Sequence, residues 1–194
     1  MRKPRGYEEA MVLGEYEKLE LGGHICVIKK VEETLSRTNK DMIRIYLDIA
    51  EGPQKDYYAD QYRNDTRDQK KWGCIVNQIV EDKNGNTSPG FKTFIDAVEK
   101  SNPGFDHNRI WDEKFCSYFT GKLVGGVFGR EQYKNTNTGE LKWATKCVKF
   151  RDVETIREGV EIPADKYLEN TGSPSPFPGG NGFSAVEDDE DLPF

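Results

Sequence analysis

Aromatic rings and cations are interleaved along three stretches of this 194-residue chain. Arg44 and Tyr46 stand two apart; Tyr58, Tyr62 and Arg63 follow, with Arg67, Lys70, Lys71 and Trp72 just beyond. Further on come Arg130, Tyr133, Lys142, Trp143 and Lys146. This mixture suits unpaired nucleotides. Flat rings stack on bases of any identity, at about 1–3 kcal/mol per base, and cations hold the phosphates. Each residue also has a plainer use, because Tyr and Trp are common in strands, where they pack against cross-strand neighbours. Trp72 and Trp111 read as core residues.

Enzyme chemistry finds little to work with. The chain has no phosphate-cradling glycine loop followed by Lys and Ser or Thr. His24 and His107 are its only histidines, too few for a usual triad. Asp48, Asp60 and Asp65 could be imagined as the metal-holding carboxylates of a nuclease, but their contexts read as strand face and loop. Cys26, Cys74, Cys116 and Cys147 are widely separated, without the Cys/His spacing of a zinc site. They are expected to be reduced thiols, buried at Cys26 and Cys147. The expectation is a non-enzymatic chain with no cofactor and no metal.

The elements that would position the rings are mostly strands. Residues 24–31 form a first strand after Gly22 and Gly23. In 42–50, Ile43, Ile45, Leu47 and Ile49 share one face, and Met42, Arg44, Tyr46 and Asp48 the other. Residues 57–63 read as a third strand, and 72–80 are ambiguous. Residues 89–100 read as a helix, with Phe91, Phe94, Ile95 and Val98 at helical spacing, Ser88 as N-cap and Pro89 in the first turn. A glycine-studded strand, 122–133, and its return, 141–150, flank a turn at 135–139; glycines inside a strand suggest bending or a bulge. Residues 152–167 run over the surface. Three strands, a helix and a long bent hairpin follow the element order of an OB-fold, a five-stranded barrel with one or two helices between strands 3 and 4. In that fold a ligand crosses strands 2 and 3 beneath the loop joining strands 4 and 5, which is where the interleaved residues fall.

The chain ends differently. Residues 171–183 are rich in Gly, Pro and Ser and have no Lys or Arg, as a disordered tether would be. Five consecutive acids follow, Glu187 to Asp191, then Leu192, Pro193 and Phe194. Such a tip suits docking to another protein: Asp188, Asp189, Glu190 and Asp191 approach a basic rim, while Leu192, Pro193 and Phe194 enter a pocket. The net charge is −6, but the tail carries five acids, leaving 28 bases against 29 acids, or −1, for the body. Any nucleic-acid groove therefore depends on local clustering. No signal peptide begins the chain and no apolar run approaches the ~20 residues of a membrane span, so a cytoplasmic protein without membrane contact is expected. Residues 1–170 read as one domain with an N-terminal extension over 1–20, and 171–194 as linker and tail.

The sequence Glu187-Asp188-Asp189-Glu190-Asp191-Leu192-Pro193-Phe194 after a Gly/Pro/Ser linker resembles the C-terminal tail of bacterial and phage single-stranded-DNA-binding proteins. Leu192 stands where that family often has Ile. The phrases Leu47-Asp48-Ile49-Ala50-Glu51-Gly52, Ser101-Asn102-Pro103-Gly104 and Gly121-Lys122-Leu123-Val124-Gly125 are similar to phage and mobile-element proteins thought to be OB-fold single-strand binders. The resemblance implies a body that coats single-stranded DNA and a tip that recruits replication, recombination and repair proteins. A homo-oligomer, taken as a dimer, is expected because one small site grips a short strand weakly. The alternatives are an OB-fold adaptor of the replication machinery that does not itself bind DNA, and a metal-dependent nuclease.

Overall fold

A computed structural model describes residues 18–136 and 138–168, with Arg2, Lys3 and Arg5. The expected tether and acidic tip, including Asp188 to Phe194, lie outside the described residues. The body is built on a five-stranded antiparallel sheet in the order β3-β2-β1-β4-β5. Its strands are β1 (Gly22–Leu35), β2 (Asp41–Ile49), β3 (Ile75–Ile79), β4 (Leu123–Lys134) and β5 (Leu141–Arg151). The helices are α1 (Tyr57–Asn64), α2 (Pro89–Ser101) and α3 (Val153–Glu158), with short 3-10 turns at His107–Arg109 and Phe115–Phe119. The two edge strands, β3 and β5, are not hydrogen-bonded to one another.

The alternation in β2 puts Ile43, Ile45, Leu47 and Ile49 into the core. Its neighbours reach the same core with odd spacing. Ile28 and Val31 of β1 are both buried three residues apart, and the pairing slips between Ile28 and Lys30 to allow it. Cys147 and Phe150 of β5 repeat the device, with the slip at Val127/Phe128 of β4. An extra residue on one strand resets which face the next side chain takes.

Helix α2 closes one side of the core with Phe91, Phe94, Ile95 and Val98. Phe94 lies 5.3 Å from the Phe119 ring and 5.0 Å from Phe150. Full burial of each such ring is worth about 1.5–3 kcal/mol. Ser88 sits at the N-cap as expected, but its side chain makes no capping hydrogen bond. The Gly125 position explains one of the strand glycines by close approach. A Cβ there would come within 2.4 Å of Ile156 and 2.8 Å of the Arg151 carbonyl, so only glycine lets α3 cross this face of the sheet.

Three local expectations are corrected. Residues 57–63 form helix α1, and the third strand is the formerly ambiguous stretch, at Ile75–Ile79. The cause is a cap from a distant part of the chain. Asp48 of β2 accepts hydrogen bonds from the Tyr58 and Ile49 amides at 3.0 and 2.9 Å, satisfying a first-turn donor that the N-cap side chain, Asp56, leaves alone. Trp111, expected in the core, is 58% exposed and stacks on Phe115 at 5.5 Å. Trp72 does meet its expectation: it packs against the core, and its indole donates to the Leu47 carbonyl at 2.7 Å. Cys26, Cys74 and Cys147 are buried free thiols, and burial pushes Cys147 up to about 12. Among the described residues no helix is long and apolar enough to cross a membrane.

Candidate nucleic-acid interface

Strand register sorts the interleaved rings and cations onto surfaces. Across β1, β2 and β3, Lys30 faces Tyr46 and Tyr46 faces Ile75; Glu32 faces Arg44 and Arg44 faces Asn77. These side chains share the outer face of the sheet, where Arg44 and Tyr46 are half-buried. Both are held in place. The Tyr46 hydroxyl donates to Glu32 at 2.7 Å, and Arg44 Nε reaches Asn77 Oδ1 at 3.4 Å. Lys30 pairs with Glu32 and lies 5.8 Å from the Tyr46 ring centre. The Lys30 contact, then the Tyr46 hydrogen bond, hold the Glu32 carboxyl below its ordinary value. Beside this group opens a shallow cleft of about 530 Å³, lined by Glu32, Glu33, Glu113, Arg44 and Cys116 among others. With three carboxylates to one guanidinium, it disfavours a phosphate.

Helix α1 disperses the next group. Tyr58 is 5% exposed and packs against Phe128, so its ring has no face to offer a base. Tyr62 is exposed, tilted on Trp72 at 5.6 Å with Lys70 5.7 Å from its ring centre. Arg63 pairs with Asp60 at 2.8 Å, and Arg67 with Asp65 at 2.7 Å. The three imagined nuclease carboxylates therefore stay apart: Asp48 caps α1, and Asp60 and Asp65 each hold an arginine. Glu99, Asp106 and His107 do come within 4.8 Å of one another. They tie α2 to the following 3-10 turn, with Glu99 accepting from the His107 amide at 3.1 Å and Asp106 from the Asn108 amide at 2.9 Å.

The β4–β5 hairpin is where cations accumulate. Residues 129–151 hold six bases and two acids, a net of +4 within a chain of −6. Counting alternate positions from the buried Val124 and Phe128 leaves Glu131 and Tyr133 on the outer face and Arg130 on the inner one. Tyr133 pairs with Lys142 and Gly129 with Lys146, so these lysines lie on the outer side with Tyr133. Val127 pairs with Lys149 and Gly125 with Arg151, which extends the basic row. Lys146 contacts Glu131 at 2.9 Å. On the inner side the Arg130 guanidinium lies 5.5 Å from the Trp143 ring centre and binds both oxygens of Asp165, at 2.9 and 2.5 Å. Trp143 is 39% exposed.

Of the residues expected from the sequence, Arg44, Tyr46, Tyr133, Lys142 and Lys146 thus share the outer sheet face. Arg130 and Trp143 share the opposite side of the projecting hairpin, Tyr62 and Arg63 lie on α1, and Tyr58 is inside. Sequence reasoning missed Lys149 and Arg151: strict alternation from Lys142 and Lys146 puts these odd positions on the other face, and only the slip at Val148 of β5 brings them to the common side. Tyr167 was missed because it lies beyond the last strand. No known family model matches this chain, and comparison with curated proteins found no match.

Proposed function

We propose that the chain binds and protects single-stranded DNA, largely without sequence preference, and recruits replication, recombination or repair proteins through its acidic C-terminal tip. The observation that carries this reading is the β4–β5 hairpin: a +4 segment in an acidic chain, with Tyr133 and Trp143 set among its cations. A projecting, twisted ribbon with rings and cations on it serves a flexible strand, because rings take any base and cations follow the phosphates. The sheet order β3-β2-β1-β4-β5, with α2 between β3 and β4, supports an OB-fold for the body; pairing of β3 with β5 would complete the barrel. The tail sequence supports the recruiting role, and a dimer would give a longer strand more than one grip.

Titration of the full chain with oligo-dT at two salt concentrations tests the reading. Tryptophan emission is expected to quench, with affinity falling as salt rises by about 0.7 logarithmic units per tenfold salt for each phosphate contact. Absence of any response overturns it in favour of a protein-binding adaptor. Shortening of the strand on adding magnesium overturns it in favour of a nuclease.

A further inference from the structure

We infer that the segment after β5 is part of the nucleotide site, with Tyr167 as a stacking ring that brings the strand around both sides of the hairpin. The inference rests on the single-strand reading above. Residues 163–168 return along β4 beyond the end of β1. Lys166 bridges Glu131 in parallel, its amide donating to the Arg130 carbonyl at 2.9 Å while its own carbonyl accepts from Gln132 at 2.8 Å. This backbone ladder fixes the alternation of the segment. Lys166 falls with Glu131, whose carboxylate it meets at 2.6 Å. Asp165 and Tyr167 fall on the other side, with Arg130 and Trp143.

Tyr167 meets Trp143 edge-on at 5.1 Å and an interplanar angle of 79°. One side of the indole faces Arg130. The tyrosine ring is 65% exposed, the most exposed large apolar side chain among the described residues. Tyr167 and Trp143 together form an exposed aromatic patch beside Arg130, and a contiguous patch, unlike a lone surface ring, marks an interaction site. Two chemistries could cover it, an apolar protein surface or a base. The charge decides: the supporting hairpin carries +4, most of it from Lys142, Lys146, Lys149 and Arg151 on the opposite face, which draws a polyanion whose every unit has a flat face to the ribbon as a whole. Asp165, by clamping Arg130 in two hydrogen bonds, holds the guanidinium beside the indole and keeps this stack rigid. Because Tyr133, Lys142 and Lys146 lie on the opposite side, a strand using both sets must pass around the ribbon.

The test compares Tyr167→Ala, Tyr167→Phe and Trp111→Ala in the full chain, using fluorescein-labelled oligo-dT and anisotropy, with Lys142→Ala/Lys146→Ala as reference. Tyr167→Ala is expected to weaken binding about tenfold, within the range for one stacked base. Tyr167→Phe, which keeps the ring, and Trp111→Ala, an exposed ring elsewhere, should bind like the parent. Tyr167 lies on the surface, so the variants should fold; matching thermal unfolding curves check this. If Tyr167→Ala binds as tightly as the parent while the lysine variant is weakened, the inference is overturned and the single-strand reading stands. If the parent itself does not bind oligo-dT, both fall together.

Discussion

The outer face of β1–β2–β3 and the β4–β5 hairpin contain similar residue types: tyrosines, an arginine and lysines at strand spacing. They differ in what surrounds each cation. On β1–β2–β3, Glu32 accepts from Tyr46 and pairs with Lys30, while Glu33 and Glu113 line the cleft beside Arg44. On the hairpin, six bases meet two acids. Arg44 and Tyr46 therefore act first as internal cross-links of the sheet. The hairpin retains a net positive charge although Arg130 pairs with Asp165 and Lys146 with Glu131. Residue type alone marks a candidate surface; local charge balance decides whether a polyanion can approach it.

The strongest challenge to this contrast is to strip the hairpin. Lys142→Ala/Lys146→Ala/Lys149→Ala should lower oligo-dT affinity on the order of a hundredfold at low salt and make the salt dependence shallower by about 2, for three lost phosphate contacts. Stability should change little, since these are surface positions away from the core. Titrations at several salt concentrations, with urea unfolding alongside, measure both. An unchanged slope would remove the hairpin as the phosphate-binding surface.

A smaller effect tests the other region. Arg44→Ala should reduce affinity by less than about threefold, whereas Glu32→Gln should raise it about twofold by removing a repulsive charge screened over roughly 10 Å at 0.1 M salt. The same anisotropy titration reads both changes. A loss at Arg44 as large as that of the lysine triple would reverse the ranking of the two regions.

The smallest expected effect concerns stability where β2 meets α1. Burial raises the Asp48 acid above its ordinary value, against the pull of the Tyr58 and Ile49 amides. A group raised in the folded state contributes stability that is fully present below its unfolded pKa, about 4, and is lost as pH rises through the folded value. Asp48→Asn keeps the Oδ1 acceptor and removes the titration. Urea unfolding of parent and variant from pH 4 to 8 should show the parent losing stability relative to the variant as pH rises. Parallel curves would mean that Asp48 ionises as it would in the unfolded chain.

Much of the fold was legible because it follows from local periodicity. The apolar alternation of Ile43, Ile45, Leu47 and Ile49 required a half-buried strand, and Phe91, Phe94, Ile95 and Val98 required a helix with one buried side. Glycine at 125 announced an irregularity but not its cause, the crossing of α3. The candidate site was legible as a set of residue types, less so as a surface. Tyr58 and Arg63 looked like strand residues because period-2 reading could not include a capping carboxylate ten positions earlier in the chain.

The amino-acid sequence by itself determined strands β1, β2, β4 and β5, helix α2, and the concentration of cations and rings in 129–151, since each depends on neighbours within a few residues. Tertiary structure alone decided that 57–63 is a helix, that Tyr58 is buried, that Glu32 occupies the Tyr46 hydroxyl, and that Tyr167 stands beside Trp143. Those outcomes rest on contacts between residues 10, 14 and 24 positions apart. Such contacts form only once strand register and its two slips have set which side chains share a face.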